Sequence, residues 1–220
     1  MVEPNSNGGQ IAIKPFVLGP YETNCYVVTT GDARDCWIVD ASFDPGDLIA
    51  HIRRLGLSPR AILLTHAHLD HIAGLGEIRR AFPGVPVLLH RAEHEWLSDP
   101  VLNLSAMTGE PIREGEPDGE LSDGQQLTLG LSTWIVRHTP GHSPGGVTFY
   151  CAEAGVALVG DSLFNGSVGR TDFPGSSPQT LADSIRRVLY QLPTTTRVFP
   201  GHGPPTTIGR EMKSNPFVRA

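Results

Sequence analysis

The feature that most constrains this chain is the run Ile62-Leu63-Leu64, followed at once by Thr65-His66-Ala67-His68-Leu69-Asp70-His71. An apolar run this short reads as a buried strand, in which residues two apart share a face. His66 and His68 are two apart, so an extended chain points both imidazoles one way, with Asp70 and His71 at the turn that follows. Neutral imidazoles and a carboxylate crowded together each need a partner, because burying any of them bare is costly. A divalent cation removes that cost: imidazole nitrogen and carboxylate oxygen are the ligands that zinc, manganese and iron(II) accept.

The context recurs along the chain. Trp134-Ile135-Val136 leads through His138 to Gly141-His142, Val156 to Gly160 leads to Asp161, and Arg197 to Gly201 leads to His202. His142, Asp161 and His202 each follow a glycine, which permits positive φ or close approach of the backbone. Four apolar runs therefore end in histidine or aspartate, and the crevice beyond strand carboxyl ends is where α/β sheets build sites.

Elements alternate on either side of a stretch without period, residues 98 to 125, which reads as a long loop forming a lid or rim. Before it come strands at Ile11 to Leu18, Asn24 to Thr29, Cys36 to Val39 and Val85 to Leu89. A helix with Asp44 as N-cap runs to Gly56. A second carries Ile72, Leu75, Ile78 and Phe82, and a third spans Arg91 to Leu97. After the loop come strands near 126 to 137, 146 to 151 and 156 to 160, a helix capped by Ser177-Pro178, and a strand at Val198-Phe199. Strands closed by a helix in each half predict an α/β fold: two mixed sheets packed face to face with helices outside, an αββα sandwich over residues 1–220 as a single domain.

Composition fits this expectation. With 39% hydrophobic residues in 220, a sizeable core is available. Three cysteines without a C-x-x-C pair, and a polar start, MVEPNSNGGQ, predict a cytoplasmic chain with no leader. A net charge of −6 argues against nucleic acid as a partner, and no apolar run is long enough to span a bilayer. Two other histidines, in His90-Arg-Ala-Glu-His94, mimic a metalloprotease helix but lack the glutamate after the first histidine.

His66-x-His68-x-Asp70-His71, with His142, Asp161 and His202 in order, resembles the metallo-β-lactamase fold hydrolases over nearly the whole chain. Gly160 to Gly175, GDSLFNGSVGRTDFPG, and Asn215-Pro216-Phe217 look like the short bacterial glyoxalase II-type enzymes. The resemblance implies two divalent metal ions, zinc foremost, with iron or manganese as alternatives. His66, His68 and His142 would hold the first, Asp70, His71 and His202 the second, and Asp161 would bridge them. Asp40 would orient a ligand histidine, Asp70 would be catalytic and Arg170 would bind substrate. It implies hydrolysis of a small-molecule thioester such as S-lactoylglutathione by a bridging hydroxide, since a bound metal brings the pKa of water from about 15.7 to about 7.

Departures sharpen the reading. Zinc β-lactamases lack the bridging aspartate, and related lactonases carry a tyrosine where Phe164 stands. The longer glyoxalase II enzymes add a C-terminal helical domain. Their glutathione-binding lysine matches Arg170, and a substrate tyrosine falls at Asp172. The alternative is a glutathione persulfide dioxygenase with one iron, which shares the ligand positions and a segment like Gly169 to Phe173.

Overall fold

The computed structural model describes residues 11–31 and 34–220. The first sheet takes β1 (Ile11–Leu18), β2 (Thr23–Thr30), β3 (Asp35–Val39), β4 (Ser58–Leu63), β5 (Val87–His90) and β6 (Gly119–Leu121), in that spatial order. β1, β2 and β3 pair antiparallel, and β3 through β6 pair parallel. The second sheet has β7 (Gln126–Leu129), β8 (Ser132–His138), β9 (Val147–Cys151), β10 (Val156–Gly160), β13 (Arg197–Pro200) and β14 (Thr206–Thr207), ordered β14-β13-β10-β9-β8-β7. Only β10 and β13 run parallel there. A small hairpin of β11 (Leu163–Phe164) and β12 (Ser167–Val168) lies between β10 and the following helix.

The inner strands read as unbroken apolar runs because both of their faces are buried. Along β2, Tyr26 and Val28 join the core between the sheets while Cys25 and Val27 join the outer core. β10 divides the same way, with Val156 and Leu158 inward and Ala157 and Val159 outward. The inner core is closed by Trp37 against Trp134 and Tyr26 against Phe199, both edge-to-face, with ring centroids 5.8 and 5.9 Å apart. Outside the first sheet lie α1 (Gly46–Leu55), α2 (Leu69–Ile72) and α3 (Leu75–Ala81), burying Leu48, Ile52, Ile72, Leu75 and Ile78. Outside the second lie α4 (Pro178–Arg187) and α5 (Ile208–Ser214), through Leu181, Ile185 and Ile208. Two mixed sheets between helical layers are the αββα sandwich.

Four local expectations need correction. Asp44 does not cap α1: its φ is +51°, a left-handed conformation open to aspartate, and Pro45 takes the cap position without a side-chain bond. The helix expected from Ile72 to Phe82 breaks into α2 and α3, because the Gly74 N–H donates to the Ala41 carbonyl at 2.8 Å instead of continuing the helical ladder. Residues 91–97 form a 3₁₀ helix. The stretch 98 to 125 is not all loop: it contributes β6 to the sheet edge, and buried Asn103 ties it down by donating to the Trp96 and Ile112 carbonyls. Among the described residues, no helix is long and apolar enough to cross a membrane.

Candidate metal centre

The parallel pairs β3–β4 and β10–β13 sit inside their sheets, so their carboxyl ends meet along one edge of the sandwich. Asp40 follows β3, His66 follows β4, Asp161 follows β10 and His202 follows β13. His142 arrives in the turn between β8 and β9. Two glycines make the junctions possible. Gly160 has φ +50° and lies against Thr65, while a Cβ at Gly201 would overlap Asp161 Oδ1.

The seven expected residues come together. Ligand-capable atoms of His66, His68 and His142 lie within 4.8 Å of one another, as do those of Asp70, His71 and His202, and those of His66, His71 and Asp161. Asp161 spans the groups: its Oδ1 is 3.4 Å from His71 Nε2 and its Oδ2 is 3.5 Å from both His142 Nε2 and His202 Nε2. His66 Nε2, His71 Nε2 and Asp161 Oδ1 are buried and find no hydrogen-bond partner among the described residues. Native interiors rarely tolerate such orphans, and three beside one another fit a bound cation.

Four of the five imidazoles are fixed through their outward side. His71 Nδ1 lies 2.9 Å from Asp40 Oδ2, and Asp40 also accepts from the Thr65 amide and hydroxyl, the latter 3.1 Å from His66 Nδ1. His142 Nδ1 donates to the Arg170 carbonyl at 2.8 Å, and His202 Nδ1 to the Tyr21 carbonyl at 3.1 Å. These contacts leave Nε2 of all four rings facing the centre. His68 differs, presenting Nδ1 at 2.9 Å from His142 Nε2 while its ring lies between Trp96 and Phe173. The Thr23 hydroxyl donates to Asp70 Oδ2 at 2.9 Å.

Burial disfavours every charged form here, and the neighbours decide the outcome. Burial, with His71 and His68, pushes His66 well below the ordinary imidazole range, and burial with His142 takes His68 down to about 3. Burial also opposes a charge on His71, yet Asp70, Asp40 and Asp161 hold its pKa well above that range. Against the same opposition, hydrogen bonds to Asp161 and Asp70 raise His202 to about 9. Burial would raise both carboxyls, but His71 and His202 hold Asp70 down to about 2 and Asp161 well below the carboxylate range.

Glu93 carries a role that the sequence reading missed. Its carboxylate is fully buried and accepts from the Ala67 N–H, between His66 and His68, and from the Gly145 N–H, three residues after His142, each at 2.6 Å. Burial raises its pKa to about 7, partly offset by the Ser143 side chain and then by those two donors. His90 and His94, which flank it in sequence, stay outside the centre: His90 stacks on His138 at 4.3 Å, and His94 donates to the Leu89 carbonyl. His138 donates to the Pro144 carbonyl.

A cleft of about 320 Å³ opens onto the centre, lined by Tyr21, Leu69, Leu104, Phe164, Phe173 and Arg170 beside the candidate ligands. The Arg170 guanidinium forms a two-pronged pair with Asp172, at 3.0 and 2.7 Å, and stands 4.4 Å over the Phe173 ring.

An αββα sandwich that gathers five histidines and two aspartates at one edge defines a class, metal-binding proteins of the metallo-beta-lactamase fold. The chain belongs to the metallo-beta-lactamase superfamily, which residues 18–202 match. It is similar to the crystal structure of BLEG-1 B3 metallo-beta-lactamase, with 45% identity and a TM-score of 0.90, covering 95% of this chain and 100% of that one. A structure of TTHA1623 in a di-iron-bound form is 41% identical with a TM-score of 0.84, covering 93% and 100%. Hydroxyacylglutathione hydrolase GloC of Haemophilus influenzae is 35% identical over 91% of this chain and 94% of its own length.

Proposed function

We propose that this protein is a binuclear metal-dependent hydrolase of small thioesters. The observation that carries the reading is Asp161: a single buried carboxylate turns one oxygen towards His71 and the other towards His142 and His202. His66, His68 and His142 would hold one ion, Asp70, His71 and His202 the other, with Asp161 shared. Zinc suits these ligands, and the di-iron form of the 41% identical relative makes iron the first competitor. Two bound ions would supply Lewis acidity and a water that ionises near neutral pH.

The chain's own groups then do the following. Asp40 sets His71 directly and His66 through Thr65, so both rings enter with Nε2 forward. Asp70, held ionised and fixed by the Thr23 hydroxyl, is an acceptor that orients the attacking water. The apolar walls of the cleft exclude bulk water around the carbonyl. A thiol, with a pKa near 8.5, departs as thiolate without a proton donor, whereas an amide nitrogen needs one. Among the described lining residues, the one hydroxyl is that of Tyr21, at the half-exposed rim. The name of the GloC relative supports the same chemistry.

A second reading has its own observation, the B3 metallo-beta-lactamase name of the 45% identical structure. The test is metal analysis of protein purified without added metal, followed by steady-state kinetics on S-lactoylglutathione, simple thioesters and a chromogenic β-lactam. About two metal equivalents and thioester turnover are expected. Turnover of the β-lactam alone would favour the second reading. Oxygen uptake on glutathione persulfide, with thioesters untouched, would make the chain a dioxygenase.

A further inference from the structure

Arg170 is the only arginine or lysine among the described residues that line the cleft, so beyond the metal centre an anionic substrate has that one side-chain cation to address. It is already engaged. Asp172 takes both prongs of the guanidinium, from Nε at 3.0 Å and from an outer nitrogen at 2.7 Å, and Phe173 lies against its face. Asp172 takes the side-on fork, and although the end-on fork between the two outer nitrogens stays open, the charge that would draw a second carboxylate to it is already balanced by Asp172. Asp172 also places a negative charge at the rim, where an incoming anion would meet it. The remaining walls, Tyr21, Leu69, Leu104, Phe164 and Phe173, offer apolar surface, and about 320 Å³ is at the small end of ligand clefts, which run from about 300 to 1,000 Å³.

We propose that Asp172 is a specificity-determining residue which occupies the side-on fork of Arg170 and offsets its charge, so that the cleft selects compact, uncharged thioesters over those of anionic thiols such as glutathione. The proposal rests on the thioesterase reading for its chemistry, and on the Arg170–Asp172–Phe173 geometry for its selectivity. Asp172 touches no reacting atom; it acts through Arg170. Both side chains are about two-thirds exposed, so the effect on affinity is that of a surface charge contact, modest and sensitive to salt.

The experiment compares metal-loaded wild type with Asp172→Asn in two measurements. In the first, kcat/KM is determined for S-lactoylglutathione and for the lactoyl thioester of N-acetylcysteamine, which carries no charge. The wild type should favour the neutral thioester. Asp172→Asn should raise the glutathione-to-neutral ratio about two- to fivefold through KM, and 0.5 M salt, added as roughly five times the ionic strength at which the screening length is about 10 Å, should erase the gain. In the second, S-methylglutathione, a thioether that cannot be hydrolysed, is titrated calorimetrically into both proteins, and Asp172→Asn should bind it more tightly by a similar factor. Equal binding of S-methylglutathione to both proteins overturns the proposal, as does a wild type that prefers the glutathione thioester. If neither thioester is turned over while S-methylglutathione still binds Asp172→Asn more tightly, the thioesterase reading fails and the role of Asp172 stands.

Discussion

Asp161 shows what one residue does in this site. Its two oxygens face different histidines, and its main chain turns at Gly160, φ +50°, just before the carboxylate enters the cluster at the sheet edge. Replacing it with asparagine keeps the shape and removes the charge. Asp161→Asn should therefore lower metal content below that of the wild type, and turnover with it; unchanged stoichiometry with full activity would dismiss the shared-ligand role. His202 yields a prediction in pH. Its pKa is raised from 6.5 to about 9, so the proton contributes stability to the metal-free protein that is complete below about pH 6.5 and is lost as pH rises through 9. The span of about 2.5 units corresponds to on the order of 3 kcal/mol. Metal ligation requires the neutral ring, so the gap in melting temperature between metal-loaded and chelated protein should widen from pH 6.5 to 9. A constant gap would mean that His202 does not exchange a proton for metal. The seven candidate residues were legible because histidine and aspartate at the end of an apolar run are conspicuous. The carbonyls of Tyr21 and Arg170, which set two of the rings, were not, because every residue type carries a carbonyl.

At the scale of elements, the segment 91–97 does what no single ligand does. Glu93 receives one N–H from the loop that bears His66 and His68 and another from the loop that bears His142. Glu93→Gln would set the side-chain amide against one of those donors, leaving it unsatisfied. Unfolding free energy should fall by about 1–3 kcal/mol, and metal affinity by about 10–100-fold, measured by denaturation and by competition with a chelator. A loss of stability with unchanged affinity would reduce Glu93 to a packing residue. The sequence directed attention to His90 and His94 instead, since histidine spacing is a visible pattern and a carboxylate bound to main-chain donors is not. Burial periodicity located most strands correctly, β1 to the residue. It failed where a long-range bond overrode local preference, as at Gly74, and where an element was too short to show a period, as at β6.

At the scale of the molecule, the sandwich packs two layers of strands over a shared core, and the start of β2 is sewn to the β13 end: Asn24 donates to the Pro200 and Gly203 carbonyls, and the Tyr26 hydroxyl to Pro200 at 2.6 Å. Both layers therefore have to meet before the edge that carries the site exists. The placement of the candidate ligands follows the same division. His66, His68, Asp70 and His71 come before the exposed turn at Asp123-Gly124, and His142, Asp161 and His202 come after it, so each trio draws two members from one side and one from the other. A chain severed at that turn yields two polypeptides, neither owning a complete trio. Their reassociation should be gated by metal, so that added zinc tightens the pairing of the separately expressed halves and a chelator loosens it, turning the protein into a split sensor for the ion. Pairing indifferent to chelator in an affinity measurement would show instead that the apolar faces alone hold the halves together.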